Sequence, residues 1–173
     1  MLDDALDKMR AGKLEGLSDI DDTWAPQINL GVPVLIPERY VSDLDTRLGL
    51  YRRLSSLTSK VELEGFAAEL IDRFGELPKE VNTLLLVVRI KAMCKRAYIS
   101  KLDGGPKGAT IQFYNDKFKS PSGLVKFIND ENGLAKIRNN KLVVIRDWLK
   151  DRDRIKGSFS LAKALAILAQ EKN

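Results

Sequence analysis

The chain has 173 residues, 44% hydrophobic, 31% charged and 7% aromatic, a composition of ordinary globular domains that excludes a disordered tail. It contains no histidine and a single cysteine, Cys94, which excludes Ser-His and Cys-His nucleophilic chemistry, an intrachain disulfide and a thiolate cluster for zinc or iron-sulfur. The net charge of +5 is uneven: residues 1–83 carry 10 Lys or Arg against 16 Asp or Glu, and residues 84–173 carry 19 against 8.

Leu2, Ala5, Leu6 and Met9 recur at helical spacing, and the acidic stretch GLSDIDDTWAP after them lacks periodicity. Residues 1–26 therefore read as a tail helix and linker attached to a domain spanning 27–173. In INLGVPVLI, residues 28–36, the alternation of Ile28, Leu30, Val32, Val34 and Ile36 predicts a half-buried strand, and Pro33 makes it an edge strand. Val41, Leu44, Leu48, Tyr51 and Leu54 predict one face of a helix reaching about Leu57. Ser59 with Glu62 fits a capping box, opening a helix with apolar positions Leu63, Phe66, Ala67, Leu70, Ile71 and Phe74 that Gly75 ends as a left-handed cap.

Pro78 suits a first helical position, and the helix after it, from Lys79 to about Ala97, is apolar on nearly every side and so central, with Cys94 a small buried hydrophobe. ISKLD and ATIQFY predict two strands around GGPKG, which is a turn and not a phosphate-binding loop, since the Gly-Lys-Ser/Thr order is missing. Ser120-Pro121 starts a helix with Leu124, Phe127 and Ile128, and Asn139-Asn140 joins two strands in a hairpin whose turn tolerates positive φ. A last helix begins near Asp151 and repeats Ile155, Phe159, Ala162, Ala166 and Ala169. The fold class is α+β, a mainly antiparallel sheet of short strands packed against several helices.

Two features suggest partners. Glu62, Gly65, Glu69 and Asp72 recur every three or four residues and form one stripe opposite Phe66 and Leu70–Ile71. A helical glycine costs about 0.5–1 kcal/mol, which hints at close approach, although a solvated face with a Glu69–Arg73 pair also fits the spacing. The basic residues Lys91, Lys95, Arg96, Lys101, Lys107, Arg138, Lys141 and Arg146 admit phosphate contact, but aromatic residues for a stacking platform are scarce among them.

The runs DLDTRLGLYRRLSSL, ELIDRFGELPKEV, VVRIKAMCKRA and KLDGGPKGATIQF, in this order after INLGVPVLIP, resemble the C-terminal domain of the bacterial transcription-repair coupling factors over about residues 26–148. The opening MLDDALDKMRAGK looks like the tail of that family's second RecA-like motor lobe. The resemblance implies a cytoplasmic parent that is an ATP-driven translocase on double-stranded DNA, displaces stalled RNA polymerase and recruits the excision-repair protein UvrA. It implies that ATP and magnesium belong to the motor lobes and that this chain carries no cofactor, no metal, no catalytic residue and no membrane attachment. The chain would be a non-enzymatic autoinhibitory clamp that docks on a UvrB-like N-terminal module and covers its UvrA-binding surface. Its docking helix would present Glu69, Asp72, Arg73 and Phe74 of the ELIDRF motif with Glu62 and Gly65, the two carboxylates facing arginines of that module. A basic accessory domain contacting duplex DNA is the alternative. The excised chain is expected to be a monomer or a weak self-associate.

Overall fold

The computed structural model describes residues 24–170. The tail helix expected over residues 1–11 and most of the linker after it lie outside the described residues. Five strands form one sheet in the order β1 (Gln27–Asn29), β2 (Ile99–Gly105), β3 (Gly108–Phe113), β5 (Lys141–Ile145), β4 (Ala135–Arg138). Three of the four pairings are antiparallel and β1 lies parallel to β2, so the expected class holds. The helices are α1 (Leu44–Ser55), α2 (Lys60–Phe74), α3 (Lys79–Arg96), α4 (Pro121–Asp130) and α5 (Asp151–Gln170). None of these is long and apolar enough to cross a membrane.

Period-2 alternation sends Leu102, Ile111, Leu142 and Val144 to the covered face of the sheet, where α3 and α5 pack. The alternate residues Lys101, Asp103, Thr110, Gln112 and Val143 face the other way, and none of them is buried. The hairpin turn at Asn139-Asn140 has φ of 52° and 61°, the left-handed geometry that asparagine tolerates best after glycine. Ser120 caps α4 with Pro121 in its first turn, as expected. Gly157, inside α5, makes room for the Trp148 ring, which a Cβ at that position would meet at 2.4 Å.

The buried apolar residues form two clusters. Ile90, Cys94, Ile99, Leu102, Ile111, Leu142 and Leu165 belong to the sheet cluster; Leu50, Leu54, Leu63, Phe66, Leu70 and Val81 of three helices form a second one with Ile36 and Val41 of the segment before α1. Helix α3 serves both, its N-terminal half with Val81, Leu84 and Val88 and its C-terminal half with Ile90, Met93 and Cys94, which is why its sequence is apolar on most sides. Cys94 is fully buried, and burial pushes its thiol up to about 12, the inert hydrophobe expected.

Four sequence expectations are corrected. The strand expected over 28–36 ends at Asn29, because Gly31 turns the chain with φ +67° while the Asn29 side-chain oxygen accepts from its N–H at 3.2 Å. The alternation beyond it spans the two clusters: Leu30 enters one, Ile36 the other, and Val34 is exposed. In α1 the expected face is only partly buried. Asp43 caps the helix, so Leu44 falls in the first turn facing solvent and Leu48 is also exposed, while Leu50 and Leu54 are the residues buried. Ile71, expected on the apolar face of α2, is 50% exposed. Gly75 does end α2 with positive φ, but at φ 93° and ψ −166° it sits in extended backbone that only glycine adopts readily and not in the left-handed helical basin.

Candidate functional site

Helix α2 starts with reciprocal capping: Ser59 Oγ accepts from Glu62 N at 3.1 Å, and the Glu62 carboxylate accepts from Ser59 Oγ at 2.9 Å and Ser59 N at 3.3 Å. The Ser59 hydroxyl donated to Glu62 holds that carboxyl below the usual range. Glu62 is thus occupied in starting the helix. At the other end the Tyr40 hydroxyl donates toward Leu70 O at 3.1 Å and Gly75 O at 2.7 Å, and its ring packs 5.7 Å from that of Phe74, which is half-buried with Arg73 4.8 Å over its face.

Leu63, Phe66 and Leu70 turn inward, so at 100° per residue the outermost ridge of α2 is Val61, Gly65, Ala68 and Asp72. Val61 is 78% exposed, and a Cβ built on Gly65 would meet nothing within 4 Å. Asp72 is exposed and forms no hydrogen bond or ion pair among the described residues. The ridge is therefore nearly flat, with one apolar side chain near its start and one uncommitted carboxylate near its end.

Glu69 lies to one side of this ridge, and a residue from another helix holds it. Arg53 of α1 donates Nη1 to Glu69 Oε2 at 2.6 Å and Nη2 to Oε1 at 2.9 Å, while its guanidinium stands 5.1 Å over the Phe66 ring. Arg73, one turn along α2, adds a third contact at 3.2 Å. The Arg53 hydrogen bond, seconded by Arg73, lowers the Glu69 carboxyl to about 2 against some opposing desolvation. The structure thus places Glu62, Gly65, Glu69, Asp72, Arg73 and Phe74 on one helix, but only Gly65 and Asp72 among them share the outermost ridge. Sequence reasoning missed Val61 and Ala68, although their spacing of 4, 3 and 4 residues with Gly65 and Asp72 was there to be read. It missed Arg53 because the pairing joins two helices.

The basic residues of the C-terminal half are dispersed. Lys95 lies 3.9 Å over the Trp24 ring, which stacks 4.5 Å from Tyr114, so the packing of the domain reaches residue 24. Arg146 pairs with Glu131 at 2.9 Å. Lys101, Lys136, Arg138 and Lys141 remain exposed on the open side of the sheet.

Residues 30–124, more than half of the chain, match the family model described as the TRCF domain. The chain is 43% identical to the transcription-repair-coupling factor of Rickettsia prowazekii over 128 residues, 73% of this chain and 11% of that protein. It is 31% identical to that of Escherichia coli K12 over 156 residues, 90% of this chain and 14% of that protein, so it spans about a tenth to a seventh of these relatives. Its fold is similar, with a TM-score of 0.68 at 22% identity, to the crystal structure of the C-terminal domain of a transcription-repair coupling factor, covering 87% of this chain and 97% of that one.

Proposed function

The chain belongs to the TRCF domain family, and from that premise we propose that it is a non-catalytic regulatory domain of a transcription-repair coupling factor that docks through α2 on a UvrB-like N-terminal module. Docked, it masks the surface that UvrA uses; released, it exposes it. The parent would be an ATP-dependent translocase on duplex DNA that displaces stalled RNA polymerase and passes the lesion to excision repair, with ATP and magnesium held outside this chain.

What supports docking by α2 is Gly65. An exposed helical glycine with open space around it has no packing role within the domain, yet it forfeits about 0.5–1 kcal/mol of helix stability relative to alanine. A surface that approaches the backbone closely accounts for that cost. The exposed Val61 and Asp72 on the ridge, with Ile71 to one side of it and Glu69 to the other, give the approaching surface two separate apolar points and two carboxylates, which suits a basic protein partner.

The test is binding of the chain to the UvrB-like module with Gly65→Leu and with the double change Glu69→Arg, Asp72→Arg. Each should weaken docking more than tenfold while the chain still folds and melts cooperatively, since none of the three residues is in the core; Gly65→Leu should melt slightly above the wild type and the double change, which breaks the Arg53 and Arg73 pairs, somewhat below it. In the full-length parent the double change should raise both UvrA binding and basal translocation, because masking and release are linked equilibria. Unchanged affinity in folded variants would move the docking surface elsewhere.

A further inference from the structure

The docking helix already holds a two-pronged ion pair that the domain makes with itself. Glu69 has both carboxylate oxygens filled by the two terminal nitrogens of Arg53, the fork-on-fork geometry in which an arginine of another protein would bind it. Arg53 is held in that position by the Phe66 ring beneath it, and Arg73 adds a second guanidinium to Glu69 Oε2. We infer that Arg53 is an internal competitor for the basic group of the docking partner at Glu69, so that docking proceeds by exchange of one guanidinium for another. This inference rests on α2 being the docking helix.

The sign of the effect follows from charge. Arg53, Arg73 and Glu69 together carry +1, so a third guanidinium arriving at that carboxylate is repelled until one of the first two leaves. Arg53 can leave: its side chain is 50% exposed and no other carboxylate among the described residues is bonded to it. The ridge carboxylate Asp72 has no such occupant among the described residues and is the group a basic surface meets first. The free domain therefore presents one uncommitted carboxylate on its ridge and holds the other in reserve, which keeps docking weak enough to be undone by a competing partner.

Arg53→Met removes the fork and leaves an unbranched side chain over Phe66. If Arg53 competes, this variant should bind the UvrB-like module roughly two- to fivefold more tightly, the range of one exposed ion pair. Adding Glu69→Gln to it should cancel the gain, and Arg53→Lys, which keeps charge without the fork, should fall between wild type and Arg53→Met. In the free chain the Glu69 carboxyl, followed by carbon-13 NMR, should titrate near 2 in the wild type and move toward the ordinary glutamate value of 4.5 in Arg53→Met. If Asp72→Arg weakens docking while Arg53→Met leaves it unchanged or weaker, the competition is refuted and the docking reading stands. If the Glu69 titration does not move, Arg53 is not its holder and the inference falls on that ground alone. If neither Gly65→Leu nor Asp72→Arg alters binding, the docking helix is wrong and this inference goes with it.

Discussion

Glu69 shows how one side chain links acid stability to binding. Its carboxyl titrates at about 2 in the folded chain, against 4.5 ordinarily, so the unfolded chain binds the proton more tightly. Linkage then makes the Arg53–Glu69–Arg73 cluster stabilising above the ordinary value and lets that contribution fade as the pH drops from 4.5 through 2. The melting-temperature difference between wild type and Glu69→Gln should be constant from pH 8 to pH 6, shrink between 4.5 and 2, and close below 2. Raised salt should narrow it at neutral pH, since the cluster is half in solvent. A difference that persists undiminished at pH 2 would show that Glu69 acts through packing and not through its charge.

Two helical glycines separate what an element needs for itself from what it offers outward. On α2, alanine at Gly65 meets nothing within 4 Å, so Gly65→Ala should stabilise the fold by about 0.5–1 kcal/mol, the ordinary gain from removing a helical glycine. On α5, alanine at Gly157 would put its Cβ 2.4 Å from the Trp148 ring, so the same change should destabilise by about 1–3 kcal/mol through overpacking. Urea denaturation of the two variants checks the pair, and equal shifts of the same sign would contradict the packing. Tyr98 makes a related point at the end of α3. It stands at φ 59°, where glycine is usual, at a cost of about 1–2 kcal/mol. The Lys119 amino group lies 4.8 Å over the Tyr98 ring and donates to its hydroxyl at 3.0 Å. Nothing in the local sequence announces that conformation.

At the scale of the whole molecule, α3 and the segment from Leu30 to Val41 join the two clusters. Arg154 of α5 secures the segment's start, donating Nη1 to Leu30 O at 2.8 Å and Nη2 to Trp148 O at 3.3 Å while almost wholly buried. The basic C-terminal half is thereby partly turned to internal use: Arg154 on two carbonyls, Arg146 on Glu131 and Lys95 on Trp24. What remains on the open sheet face is a loose set of lysines and one arginine with no aromatic residue among the side chains named there, so duplex DNA should bind weakly. Titration at physiological salt should give a dissociation constant no tighter than about 10⁻⁴ to 10⁻⁶ M, with a log-log salt slope of about −0.9 per phosphate contacted. A nanomolar, sequence-selective complex would instead make the sheet face the domain's principal interface.

Wherever a feature depends on residues close in the chain, the amino-acid sequence determined it: the capping box of Ser59 and Glu62, the Asn139-Asn140 turn, the Ser120-Pro121 helix start, the two hairpins and the burial of Cys94. Hydrogen bonds over three or four residues and the 2 and 3.6 periods need no knowledge of the rest of the fold. The spacing of Gly65 and Asp72 on α2 was readable in the same way. Only the tertiary structure decided the rest. The alternation from Ile28 to Ile36 looked like one strand because burial by two different clusters leaves the same trace as burial by one sheet face. Leu44, Leu48 and Ile71 are apolar at helical spacing yet exposed, because the direction of the core is set by neighbouring helices and not by the helix that carries them. The Arg53–Glu69 pair, sixteen residues apart, exists because α1 and α2 contribute to the same cluster, and no local pattern encodes where two helices will meet.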